Sequence, residues 1–204
     1  MPGLFITFEG GDGSGKSTQF GRLVAFLTTS GHTVVESREP GGTDLGLELR
    51  EIVLHRRGHI APRAEALLYA ADRAHNIATK VRPALEAGSV VVQDRYIDSS
   101  VAYQGAGRVL DPEEVRGISA WATDGLVPDL TILLDLDPAI GRDRIAGGKY
   151  DRLEEEKEDF HGRVRAAFLG LAEAEPERFL VLDATRERDD LEQVIRARVS
   201  ALLA

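Results

Sequence analysis

The chain opens with Phe5–Phe20, FITFEGGDGSGKSTQF, and no other stretch constrains the fold as tightly. Apolar residues run to Phe8, four glycines fall within positions 10–15, and Lys16, Ser17 and Thr18 follow. An apolar run broken by glycines predicts a short buried strand ending in a tight loop. From Ser17 to Ser30, Phe20, Leu23, Val24 and Leu27 recur at helical spacing, so the loop leads into a helix. A strand, a glycine loop and a helix in that order present backbone, not side chains, to whatever lies above the loop.

Residues Gly10–Ser17, GGDGSGKS, satisfy G-x-x-x-x-G-K-[ST]. Loop glycines let the backbone adopt positive φ and aim successive N–H groups inward. The following helix N-terminus adds partial positive charge. Lys16 can then reach β- and γ-phosphates, and the Ser17 hydroxyl can ligate Mg²⁺. The phosphate-binding set is Gly10, Gly11, Asp12, Gly13, Ser14, Gly15, Lys16, Ser17 and Thr18. The run does not give G-x-G-x-x-G, since Lys16 falls where a last glycine is needed, which disfavours a dinucleotide site. Asp12 has two readings: a carboxylate that stabilises the turn, or one that faces a second ligand's hydroxyl.

Further apolar runs of strand length fall at Thr33–Glu36, Ser89–Gln93, Leu130–Leu136 and Phe179–Leu182, after the first at Leu4–Phe8. Helical patterns lie between them, at Asp44–Leu54, Arg63–Ala87, Asp111–Trp121, Pro138–Ile145, Asp159–Ala174 and Asp189–Leu203. Strands alternating with helices predict an α/β fold with a parallel sheet covered on both faces. The 204 residues show no repeat and no dividing linker, so one domain over 1–204 is expected. Its most charged segment, about 146–158, includes GGKYDRLEEEK and reads as a flap or lid.

Composition narrows the partners. There are no cysteines, so no disulfide scaffold or thiolate metal site is available, and a reducing, cytoplasmic location is expected. No apolar segment is long enough to span a membrane. Net charge is −9 and the arginines are scattered, which argues against a nucleic acid polymer and for a small anionic ligand.

Other clusters offer chemistry. SREPGGT places Arg38 at a strand end beside a sharp turn, where it can meet a phosphate or simply border a surface turn. LLYAADRAHN puts Tyr69 and Arg73 on one helix face, suited to a flat base or to core packing. VVVQDRYIDSSVAYQGAGR ends a strand in Asp94, a Mg²⁺-shell candidate, and Arg95, a phosphate clamp. Ser99, Ser100, Tyr103 and Gln104 then suit a base edge and a sugar, although Asp98 or Ser99 could instead cap a helix. LLDLDP adds Asp135 as a possible outer partner of the metal and Asp137 as an N-cap before Pro138.

The segments FEGGDGSGKSTQ, REPGGT, LLYAADRA, DRYIDSSVAYQGAGR and LLDLDP, followed by YDRLE, run in order over the chain from about Phe5 to Arg152. Together they resemble the thymidylate kinases of the P-loop nucleoside monophosphate kinase group. The resemblance implies a three-layer P-loop sandwich with a five-stranded parallel sheet, and transfer of a phosphoryl group from Mg·ATP to dTMP by a homodimer. It places Asp12 near the sugar 3′-hydroxyl, Arg38 and Arg95 on the monophosphate, and Tyr69 against thymine where a phenylalanine is usual. It places Arg73, Ser100 and Gln104 at the base edge and Tyr103 against C2′. Within the segment LDATRE, residues Asp183–Glu187 resemble the loop beside adenine. Some members carry an arginine at the position of Gly13; its absence here implies a lid cation. Arg152, with Lys149 or Arg144, is the expected one, beside Lys16 and Arg95 as catalytic groups. A kinase for another small acceptor and a slow nucleotide-hydrolysing switch fit the same loop.

Overall fold

The computed structural model describes residues 3–56, 58–147 and 151–203. Five strands form it: β1 Leu4–Glu9, β2 Val34–Arg38, β3 Val90–Asp94, β4 Leu130–Asp135 and β5 Phe179–Asp183. They lie in the order β2-β3-β1-β4-β5, and every pairing is parallel. All five strands expected from sequence are present, each within two residues of its expected ends.

The sheet has two apolar faces because its central strands are apolar at nearly every position. Ile6 and Phe8 of β1, Val90 and Val92 of β3, and Leu130, Ile132 and Leu134 of β4 share one face. Helix α1 (Lys16–Thr29) covers it with Leu23 and Leu27. The final helix, Arg188–Leu203, covers it with Leu191, Ile195 and Val199. The alternate residues Phe5, Val91 and Leu133 face the other layer. Each large side chain buried this way stabilises the fold by about 1.5–3 kcal/mol.

That second layer holds α2 (Asp44–Arg50), α3 (Pro62–Asn76), α4 (Arg82–Glu86), α5 (Ile97–Ser100) and α6 (Pro112–Thr123). Helices α7 (Pro138–Ile145), α8 (Glu158–Ala174) and α9, the Arg188–Leu203 helix, complete the chain. Wide π-helical turns extend α2 (Glu51–His55), join α3 to α4 (Ile77–Val81) and extend α5 (Val101–Gly107). The turn between α3 and α4 precedes Pro83, which has no N–H to continue the i→i−4 ladder. The single helix expected over Arg63–Ala87 is therefore three joined pieces. The helical run from Ile97 to Gly107 was not among the expected helices.

Strand order decides where a ligand can sit. The chain leaves β1 to one side for β2 and β3, then crosses to the other side for β4 and β5. Crevices form at the carboxyl ends of strands around such a reversal. Register brings Phe8, Arg38 and Asp94 level at that end. Among the described residues no helix is long and apolar enough to cross a membrane.

Candidate active site

Glycine shapes the loop between β1 and α1. Gly13 has φ +74°, and a Cβ there would lie 2.4 Å from the Gly141 carbonyl oxygen on α7. Two glycines thus pack backbone to backbone, and this position has no room for a larger side chain. Gly15, at φ 91°, precedes the first turn of α1, whose free N–H groups open toward the loop. Lys16 folds back over the loop and donates through Nζ to the carbonyls of Gly10 and Gly11, each at 2.9 Å. Burial pushes its ammonium down to about 8, with Arg95 adding repulsion.

Above the loop lies a cleft of about 1040 Å³. Asp12 through Thr18 line it, as do Arg38, Tyr69, Arg73, Asp94, Arg95, Ser100, Tyr103 and Gln104. Residues separated by almost a hundred positions are brought together because they all follow the carboxyl ends of β1, β2 and β3 or lie on α3 and α5 above them.

Arg95 is the hub. Its backbone is left-handed, φ 66°, which turns the side chain back across the cleft. Nη2 donates to Asp12 Oδ1 at 2.7 Å and Nη1 to Ser99 Oγ at 3.2 Å. The guanidinium lies 5.0 Å from the centre of the Tyr103 ring. Burial opposes the Asp12 carboxylate, but Arg95 and Lys16 hold it below its ordinary range. Arg38 makes no ion pair among the described residues; its Nε approaches the Gly41 carbonyl at 3.4 Å. Its charge remains available to an anion.

Behind Arg95 stands Glu9, at the end of β1. It accepts from the Tyr96 N–H at 2.7 Å, and Ser99 Oγ donates to it at 2.5 Å. The cap on α5 therefore comes from β1, not from Asp98 or Ser99. Asp98 instead forms a bidentate pair with Arg178, at 2.7 and 2.9 Å.

One wall of the cleft is built on α3. Tyr69 is 8% exposed and Arg73 1%. Arg73 donates to Glu39 Oε2 at 2.7 Å, Ser119 Oγ at 3.0 Å, the Tyr96 carbonyl at 3.2 Å and Ser100 Oγ at 3.0 Å. Glu39 also accepts from Asn76 and Gln93, so a polar network fixes the guanidinium. Tyr103 is held edge-on by Phe160 and Phe168, and its buried hydroxyl has no hydrogen-bond partner among the described residues.

One orphaned oxygen and one exposed hydroxyl test the fit of a metal. Asp94 Oδ1 is buried and has no partner among the described residues, and Asp94 shares the cleft with the exposed, hydroxyl-bearing Ser17. Hard oxygen donors of this kind suit Mg²⁺ that arrives with phosphates. No group of three or more His, Cys, Asp or Glu among the described residues could hold a metal alone. Asp135 stands apart from Asp94: Arg165 binds it twice, at 2.8 and 3.0 Å. Asp137 caps α7 through the Ala139 N–H at 2.9 Å, as expected.

Arg144 and Arg152, two of the residues expected as lid cations, lie apart. Arg144 donates to the Ala184 carbonyl at 3.1 Å and to the Gly13 carbonyl at 3.3 Å, which sets it between the phosphate loop and the Thr185–Arg188 rim. Arg152 does not line the cleft. It donates to the Val53 carbonyl at 2.9 Å and to Glu65 Oε2 at 2.5 Å. Lys149 lies outside the described residues. Glu39 and Glu65 carry no signal of their own in the sequence, because their partners Arg73 and Arg152 are distant in the chain, although Glu39 lies within REPGGT.

A parallel sheet, a glycine loop opening onto a helix N-terminus and arginines facing it across one cleft define a P-loop phosphotransferase. Comparison with known proteins makes this specific. Residues 8–195 match the family described as thymidylate kinase. The thymidylate kinase of Clavibacter michiganensis subsp. michiganensis is 66% identical, over 100% of this chain and 98% of that protein. That of Leifsonia xyli subsp. xyli is 67% identical, over 97% of this chain and 95% of its own. The crystal structure of the Ehrlichia chaffeensis thymidylate kinase superposes with a TM-score of 0.81, at 29% identity, covering 98% and 99% of the two chains. The chain belongs to the thymidylate kinase family and is a nucleoside monophosphate kinase.

Proposed function

We propose that this chain phosphorylates dTMP to dTDP in dTTP biosynthesis, using Mg·ATP and direct in-line transfer. One observation supports the reading: a single cleft is lined by the glycine loop with Lys16, by Arg38 and Arg95, and by Tyr69, Arg73, Ser100 and Gln104. The loop amides and Lys16 hold the ATP phosphates, and Thr185–Arg188 border its adenine. Arg38 and Arg95 hold the acceptor phosphate in line. Tyr69 stacks on thymine while Arg73, Ser100 and Gln104 read its edge. Asp12 faces the 3′-hydroxyl, and the fixed Tyr103 ring closes the space a 2′-hydroxyl would need.

No general base is required, because the acceptor phosphate oxygen is already an anion. Catalysis is positioning plus charge neutralisation in a site closed to water. Ser17 and Asp94 would hold Mg²⁺, which supplies charge neutralisation at the β- and γ-phosphates when bound. Arg144, already against the loop, is the described lid-side cation best placed for the transferring group; Arg152 serves by anchoring the lid, and Lys149 is a further candidate.

We also infer a cytoplasmic homodimer. Leu67 of α3 and Trp121 of α6 are 56% and 84% exposed, apolar surface that a second copy would cover. The test is ADP formation from Mg·ATP with dTMP, dUMP, UMP, dCMP or thymidine, each against a no-acceptor blank. Strong turnover with dTMP, weaker with dUMP and negligible with UMP supports the reading. Preference for thymidine, or no stimulation by any acceptor, overturns it.

A further inference from the structure

The lid, α3 and the base pocket meet at one carboxylate. Glu65, on the first turn of α3, is fully buried. Its Oε1 accepts from Gln104 Nε2 at 2.9 Å and from Arg108 Nε at 3.2 Å. Its Oε2 accepts from Arg152 Nη2 at 2.5 Å. Burial works against the charged form, but hydrogen bonds from Gln104, Arg108 and Arg152 outweigh it and hold this carboxyl below its ordinary range. It is therefore ionised at neutral pH.

An ionised carboxylate accepts hydrogen bonds and donates none. A carboxamide has one donating and one accepting end, and ordinarily either can turn toward a ligand. Against Glu65, only the NH₂ end of Gln104 can face inward. Its carbonyl oxygen, which makes no hydrogen bond among the described residues, is then the polar atom left for the cleft that Gln104 lines. Arg73, a donor only, lines the same pocket. The pocket thus offers a donor and an acceptor in fixed places. Thymine presents the complement, the O4 acceptor beside the N3–H donor. Cytosine presents the reverse, an amino donor beside an N3 acceptor.

We propose that Glu65 is a positioning residue for base selection: it locks the Gln104 carboxamide with its carbonyl toward the cleft, so that the site accepts a pyrimidine with N3–H and rejects one whose N3 is an acceptor. This rests on the dTMP kinase reading above. Arg108 and Arg152 hold the carboxylate in place, which ties the lid segment to the same selection.

The test is kcat/KM for dTMP and dCMP, with Mg·ATP, in wild type and Glu65→Gln. The variant keeps the shape but can both donate and accept, so Gln104 is free to turn. The dTMP-to-dCMP ratio is expected to fall by about tenfold to a hundredfold, the cost of one mismatched buried hydrogen bond. Equal losses on both acceptors, with the ratio unchanged, would show a structural role only and overturn the proposal. If Glu65→Gln does not fold, Gln104→Met decides, because Glu65 keeps Arg108 and Arg152. The carbonyl-outward arrangement requires this variant to lose more on dTMP than on dCMP. An unchanged ratio, or a greater loss on dCMP, overturns it. A wild type that ignores dTMP altogether would instead overturn the functional reading, so the two failures are distinct.

Discussion

Lys16 is held where its charge is uncomfortable. Its ammonium sits at about 8 against an ordinary 10.5, and it makes its hydrogen bonds to loop carbonyls. Lys16→Met is expected to lower turnover at least about a hundredfold. The same change should raise stability at pH 7, by up to about 3 kcal/mol, as urea denaturation would show. Glu9 is the converse case. Burial, with Asp98 adding repulsion, pushes its carboxyl up to about 8 from 4.5. Between those values the folded state keeps a proton that the unfolded state has lost, so stability falls as pH rises from 4.5 to 8. Denaturation midpoints of Glu9→Gln across that window are expected to descend less steeply than those of wild type. Arg73 and Glu39 form a buried pair at 2.7 Å. Alanine at either alone should cost about 3–5 kcal/mol by leaving the other charge unpaired. The double variant should cost less than the sum, which a double-mutant cycle measures.

Between elements, the Gly13–Gly141 contact couples the phosphate loop to α7. Alanine inside a helix ordinarily gains about 1 kcal/mol over glycine. At Gly141 the added Cβ would lie 2.4 Å from the Asp12 carbonyl oxygen. Gly141→Ala is expected to destabilise by about 1–3 kcal/mol instead, and to raise KM for ATP more than KM for dTMP. The strands were legible because β1, β3 and β4 are apolar on both faces, and glycines or carboxylates end them. The Ile97–Gly107 helix was not, because Val101, Ala102, Tyr103 and Gln104 are all buried and leave no polar face to set a period. The breaks around Pro83 were hidden for another reason: the apolar spacing continues through the π turn while the hydrogen-bond register changes.

At the scale of the molecule, sequence located the glycine loop and, through ordered motifs, residues that line the same cleft. It could not locate what holds them. Arg152 reads as a lid cation, yet its partner Glu65 is 87 positions away and draws it out of the cleft. Glu9 reads as part of a strand, yet it caps α5 and steadies the Arg95 side chain through Ser99. Both partners are defined only once the β-strand order brings α3, α5 and β1 to one end of the sheet. The central claim is that one cleft holds ATP and dTMP together and passes the phosphoryl group directly between them. The most direct measurement is the configuration at phosphorus in dTDP formed from ATP with a chiral, isotopically labelled thiophosphoryl γ-group. Inversion is the expected result, since in-line transfer displaces once. Retention would require a phosphorylated enzyme between the two nucleotides, for which this cleft provides no step, and would contradict the claim.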